Sequence, residues 1–323
     1  MEVQECSYLA KDILCRYVSG TIHSIFRDSF NFQCGPRFVH VSTERLGRVP
    51  FGLVLNSESM EVLLSKLKIG DQILWHIDTQ ELVFSETGIL LSFSKALQYS
   101  GKIQYMGLNV SDANLNTMMS FLFSCEKQCG LGISIQEALE PQYNIPGNGN
   151  QLYGLVFCDM NRDVKAIEQT IRYLTGRGMG LTPAGDDLMV GFLAASVCSG
   201  NTSGLFKSVL TSLLEKEGPL LTTRISLEFL LYALIDRFAS RLSNACRALF
   251  LGNPQDVFTA ALEMLQIGNT SGLDTLIGVA IKCISLRRSS HAYRSCSFWR
   301  QCPSEDWAER NNSRAGSKCS RHC

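Results

Sequence analysis

Gly176-Arg-Gly-Met-Gly-Leu-Thr-Pro-Ala-Gly-Asp-Asp-Leu-Met-Val-Gly-Phe-Leu-Ala-Ala-Ser-Val-Cys198 decides how the second half of the chain is read. Its first ten residues hold four glycines, a density that lets the backbone approach a neighbour closely. The remainder is apolar on nearly every side, which marks a helix at the centre of a helical domain. A glycine loop opening such a helix points free N–H groups and the positive end of the dipole at whatever it holds, an arrangement suited to phosphate or carboxylate. It matches neither familiar nucleotide loop. There is no Gly-Lys-Ser/Thr, and the preceding segment, with Val164, Ile167, Ile171 and Leu174 at three- and four-residue steps, reads as a helix rather than a strand.

A second segment, Gly268-Asn-Thr-Ser-Gly-Leu-Asp-Thr-Leu-Ile-Gly278, echoes the first. Gly185-x-Asp187-x-x-x-Gly191 aligns with Gly272-x-Asp274-x-x-x-Gly278, and Thr182 and Thr270 stand just before each. The echo implies two equivalent helix starts, with Gly191 and Gly278 letting the helices pack closely. Asp187 and Asp274 are also what an ordinary helix cap takes. The adjacent Asp186 exceeds what a cap needs; paired carboxylates at a glycine turn suit a divalent cation or an amino group. Leu221-Thr-Thr-Arg-Ile-Ser226 opens what reads as the longest helix, 222–250, where Arg224 is either an anion clamp or an exposed arginine.

Outward from these motifs, further helices are expected near 115–123, 203–214, 254–267 and 274–286. Upstream, residues 38–41, 52–55, 73–77 and 88–93 are short β-branched or aromatic runs bounded by turns, with one helix near 59–67. His23, His40 and His76 read as strand residues. The fold class expected is therefore α+β. A β-rich, barrel-like domain spans 1–107, a mostly α-helical domain carrying the Gly/Asp motifs spans 108–286, and a disordered or aberrant tail covers 287–323.

Composition narrows the function. The chain has 323 residues, 45% hydrophobic, with 30 Lys+Arg against 30 Asp+Glu, so neither nucleic acid nor an anionic membrane is an expected partner. The longest apolar run, Leu188 to Cys198, is too short to span a bilayer. Acidic residues stand where a signal peptide would be basic, and a cytoplasmic location is expected. Thirteen Cys, an odd number without Cys-x-x-Cys, read mostly as buried thiols; Cys125 with Cys129 is a remote metal candidate. The segment from Arg287 changes character, with seven Arg and one Lys against three acids, and lacks any apolar period. Its Cys296, Cys302, Cys319, His322 and Cys323 fit no common zinc module.

Gly-Arg-Gly-Met-Gly-Leu-Thr-Pro-Ala-Gly-Asp-Asp (176–187), Thr-Thr-x-x-Ser (222–226) and Gly-Asn-Thr-Ser-Gly-Leu-Asp-Thr-Leu-Ile-Gly (268–278) together resemble an uncharacterised-domain family. It includes the third, smallest subunit of oxamate carbamoyltransferase, the AllH-like proteins of anaerobic allantoin breakdown. The resemblance covers about Ser19 to Leu286, and similar proteins end near the position of Leu286. It implies a complex that moves a carbamoyl group between carbamoyl phosphate and oxamate, giving oxalurate and phosphate in purine nitrogen catabolism. Two larger subunits, one acyl-CoA-synthetase-like, are the implied partners. Carried onto this chain, it makes Asp186, Asp187 and Asp274 the catalytic candidates. Gly178, Gly180, Thr182, Thr270 and Ser271 become the groups that bind the small anionic substrate, to which the reading of the loops themselves adds Gly185, Gly272 and Arg224. No metal site and no cofactor are expected, a divalent cation being the one candidate. The alternative is a non-catalytic assembly or small-anion-binding subunit of an acyl-CoA-synthetase-like complex.

Overall fold

Residues 1–107, 109–139, 152, 155, 164–200 and 204–291 are described by the structure, a computed structural model, with side chains as far as Arg287. The expected tail beyond His291 and its cysteine cluster lie outside the described residues.

The first hundred residues form nine strands: β1 (Glu5–Ser7), β2 (Ser19–Ile25), β3 (Ser29–Cys34), β4 (Arg37–Thr43), β5 (Gly52–Leu55), β6 (Gln72–His76), β7 (Glu81–Phe84), β8 (Ile89–Ser92) and β9 (Leu97–Tyr99). Their order in one sheet is β8-β7-β6-β2-β3-β4-β5-β1-β9. Most pairs are antiparallel; β4–β5 and β1–β9 are parallel. The sheet curls so far that the residues before β1 reach its opposite edge, where Val3 N donates to Ser92 O and Ser92 N donates to Met1 O. That is the barrel-like half expected from the sequence. Phe30, Phe32, Val39, Val41, Leu53 and Phe84 fill its concave core, with Ala10 and Leu14 of α1 (Tyr8–Tyr17) and Met60 and Leu63 of α2 (Ser57–Leu64).

The rest is helical: α3 (Asp112–Phe123), α4 (Ile135–Leu139), α5 (Val164–Leu174), α6 (Ala184–Cys198), α7 (Gly204–Leu221), α8 (Arg224–Leu234), α9 (Ser240–Leu251), α10 (Pro254–Met264) and α11 (Ser271–His291). As its composition requires, α6 is buried along almost its whole length and centres a second hydrophobic core. Both cores belong to one compact unit, Met1–Ser285.

The expected helix over 222–250 is broken. Asp236 takes φ +64°, and the chain leaves α8 to pair with residues 101–103, where Phe238 N donates to Gly101 O and Ile103 N to Asp236 O. Phe238 is buried there, so a long-range pairing overrides a run that carries no Gly or Pro. In the other direction, α7 runs to Leu221, past the expected stop at 214, with Pro219 in its last turn.

Candidate active site

The two Gly/Asp motifs open α6 and α11, and these helices cross as reciprocal partners. A Cβ added at Gly191 would stand 1.9 Å from Thr275 O, and one at Gly278 would stand 1.9 Å from Leu188 O. Leu188 and Thr275 are the residues that follow the two aspartates. Behind each crossing the glycine two before the aspartate packs on the preceding helix: Gly185 against Leu174 O at 2.1 Å and Gly272 against Met264 O at 1.8 Å, measured again from an added Cβ. The echo in sequence is thus a repeat in space, α5–α6 and α10–α11, related about the point where α6 and α11 touch.

This crossing brings the motifs together. Thr182 Oγ1 and Ser271 Oγ are 2.9 Å apart and hydrogen-bonded, and both hydroxyls reach the Asp187 carboxylate. On the other side Asp274 accepts from Gly130 N at 2.9 Å, and Thr270 and the Cys129 thiol lie against it. Asp187 therefore faces the first turn of α11. Asp274 lies by Gly130, where an added Cβ would stand 2.7 Å from Asp274 Oδ2 and 2.8 Å from both Ala184 Cβ and Thr270 Oγ1.

The three aspartates have different surroundings. Asp186 is saturated: Gly176 N donates to Oδ1 at 3.0 Å, and Thr222 Oγ1 and Ser226 Oγ (2.7 Å) donate to Oδ2. Burial raises its pKa, and those three donors oppose the rise. Among the described residues, Asp187 and Asp274 each keep a buried Oδ2 without any hydrogen-bond partner. Burial pushes the Asp187 carboxyl well above the usual range, and the nearby Asp274 charge adds to the rise despite the Ser271 hydroxyl. Asp274, fully buried, is raised by burial too. Burial and then the Asp274 charge likewise raise the Cys129 thiol.

The glycine loop is less open to an anion than its sequence implied. Three first-turn amides of α6 are committed, Gly185 N to Arg177 O and both Asp186 N and Asp187 N to Pro183 O. Gly178, at φ +117°, turns so that an added Cβ would lie 2.6 Å from Ala184 N, a packing requirement. Gly180, at φ +98°, has open space around it and leaves its backbone approachable. Arg224 is exposed on the first turn of α8 and forms no hydrogen bond among the described residues, so the structure does not bring it into the cluster. Thr223 caps that helix, accepting from Ser226 N at 3.1 Å, and also donates to Leu181 O, which ties α8 to the glycine loop.

The segment around Gly130 was missed from sequence. It closes over Asp274, and Lys127 Nζ fastens it to the second motif through Asn269 O at 3.2 Å. Cys129-Gly-Leu-Gly132 was the available signal, a second small glycine cluster without an apolar period to place it. Among the described residues no group of three or more His, Cys, Asp or Glu side chains is placed to hold a metal. No described helix is long and apolar enough to cross a membrane.

Two family models match the chain, together covering most of it. Residues 3–98, the curled sheet, match the AllH family N-terminal domain. Residues 174–283, from the glycine loop through both motifs, match oxamate carbamoyltransferase subunit AllH. No solved structure matches. With both halves matched in order, and the motifs forming one cluster inside the matched region, the chain belongs to the AllH family, that of an oxamate carbamoyltransferase subunit.

Proposed function

We propose that this subunit holds the small amide substrate of a carbamoyltransferase complex between its two Gly/Asp motifs. The reaction is carbamoyl phosphate plus oxamate to oxalurate plus phosphate. The acceptor's amide nitrogen forms a bond to the carbamoyl carbon, the bond from that carbon to the phosphate oxygen breaks, and the nitrogen gives up a proton as phosphate leaves. Such a transfer needs mainly positioning and stabilisation of developing charge. The observation that supports this reading is the pair of buried carboxylate oxygens, on Asp187 and Asp274, left without donors at equivalent points of the repeat. Thr182 and Ser271 place hydroxyls beside them, and Gly180 offers an approachable backbone for the carboxylate end. Asp186 in this reading shapes the turn and does not touch substrate.

Two larger subunits, one acyl-CoA-synthetase-like, complete the proposed complex. A purely assembling role has its own observation: Met179 and Leu220, 91% and 88% exposed, are the two most exposed large apolar side chains among the described residues. The complex reconstituted with its larger subunits separates the two readings when phosphate release from carbamoyl phosphate is followed with oxamate. Asp274→Asn should cut the rate by about 100-fold while the complex still assembles. An unchanged rate in an intact complex would leave only the assembly role.

A further inference from the structure

Among the described residues four buried side-chain polar atoms lack a hydrogen-bond partner, and two of them are Asp187 Oδ2 and Asp274 Oδ2. Leaving an acceptor buried and unpaired is costly, and native folds seldom do it without a reason. Here it occurs twice, at positions related by the repeat, on the second oxygen of each carboxylate. Thr182 and Ser271 share one hydrogen bond, which leaves one hydroxyl proton for Asp187, and Gly130 N serves Asp274 Oδ1, yet neither Oδ2 is reached. What the pair lacks is two donors, delivered from one small group between the motifs.

A divalent cation would find few ligands. Among the described residues no group of three or more His, Cys, Asp or Glu is placed to hold one, and burial keeps the nearby Cys129 thiol protonated. A carboxylate or phosphate would bring charge of the wrong sign to two buried acids. A primary amide fits, because its planar amino group carries two N–H bonds that diverge toward two acceptors.

We propose that Asp187 and Asp274 form a receptor for one primary amide group, each Oδ2 accepting one of its two N–H bonds. The inference rests on the carbamoyl-transfer reading and adds the specificity rule: the site selects ligands that carry an unsubstituted carboxamide against N-substituted amides and against the matching acids. It makes the repeat functional, since each copy of the motif supplies one acceptor.

The test is calorimetry on the full chain with oxamate, N-methyloxamate, N,N-dimethyloxamate and oxalate. Oxamate should bind one per chain, and N,N-dimethyloxamate and oxalate should bind at least about tenfold more weakly, the loss expected for hydrogen bonds to a charged group. N-methyloxamate, with one N–H left, should fall between. Asp187→Asn and Asp274→Asn should each lower oxamate affinity by about tenfold or more and narrow the gap to N,N-dimethyloxamate. Thermal melts of both variants establish that they are folded, and Asp256→Asn, in the cap of α10, serves as a control that keeps the discrimination. Equal affinity for oxamate and N,N-dimethyloxamate, no binding of oxamate, or discrimination unchanged in folded Asn variants would overturn the proposal. The two readings fail separately. A chain that selects primary amides, within a complex whose turnover ignores Asp274→Asn, keeps the receptor and loses the carbamoyl-transfer role. A complex that needs Asp274 while the chain shows no amide preference keeps the transfer role and loses the receptor.

Discussion

Two neighbouring aspartates that look alike in sequence do opposite things. Asp186 accepts three hydrogen bonds, two of them from Thr222 and Ser226, residues 36 and 40 positions further along the chain. That separation is why sequence could flag Asp186 and Asp187 as unusual and yet not tell them apart. Asp186→Ala should destabilise by roughly 2–4 kcal/mol in denaturant melts, since it strands three donors, of which Ser226 Oγ is buried and two are part-buried. Asp187 and Asp274 behave the other way. Each has a folded-state pKa raised by burial, so the folded protein binds more protons than the unfolded chain between the ordinary carboxylate pKa and the raised one. Their contribution to stability is fully present below about pH 4 and is lost as pH rises through the folded value. Asp187→Asn and Asp274→Asn should therefore raise the melting temperature at pH 8 and leave it nearly unchanged at pH 4. A lower melting temperature at pH 8 would show that the two carboxylates stabilise the fold.

Among elements, the pair α5–α6 and its counterpart α10–α11 were the most legible part of the molecule. The spacing Gly-x-Asp-x-x-x-Gly, read twice, already implied two equivalent helix starts packed through glycine, and the crossing at Gly191 and Gly278 has that form. Gly191→Ala and Gly278→Ala each drive a methyl into a backbone carbonyl that cannot move without its helix. Each should cost about 3 kcal/mol or more by chemical denaturation. Gly204→Ala, in open space at the start of α7, should change stability by under about 1 kcal/mol. Equal tolerance at all three positions would mean that α6 and α11 are not in close contact. Less could be read where tertiary pairing decides the outcome. The break between α8 and α9 is made by partners at residues 101–103, and no local breaker announces it. Strands β1, β2, β3, β7 and β9 lay outside the four runs that were recognised. Polar residues such as Asn31 in β3 hide a strand whose burial comes from the curl of the whole sheet.

Across the whole molecule, the sheet and the helical core meet at α8. Ile225 and Tyr232 of that helix pack into the sheet's core, and Glu228 between them, 3% exposed, takes the Arg37 Nε hydrogen shared between its two oxygens, a hydrogen bond from Arg37 Nη2 and one from Phe38 N. Arg37→Ala would leave that carboxylate buried with only the backbone donor. Because Arg37 is itself about a third exposed, the loss should be on the order of 2 kcal/mol, below the full cost of breaking a buried pair. A melt unchanged by Arg37→Ala would mean that this joint contributes little. The same helix begins at Thr223, whose hydroxyl holds the glycine loop, so the joint continues into the site. The motifs lie together, and the proposal that they form one substrate site is tested most directly by hydrogen exchange in the presence of oxamate. Oxamate should slow exchange in the segments 176–188 and 268–275 together, leaving the strands of the curled sheet unaffected. Bound oxamate that protects one motif without the other, or protects neither, would contradict it.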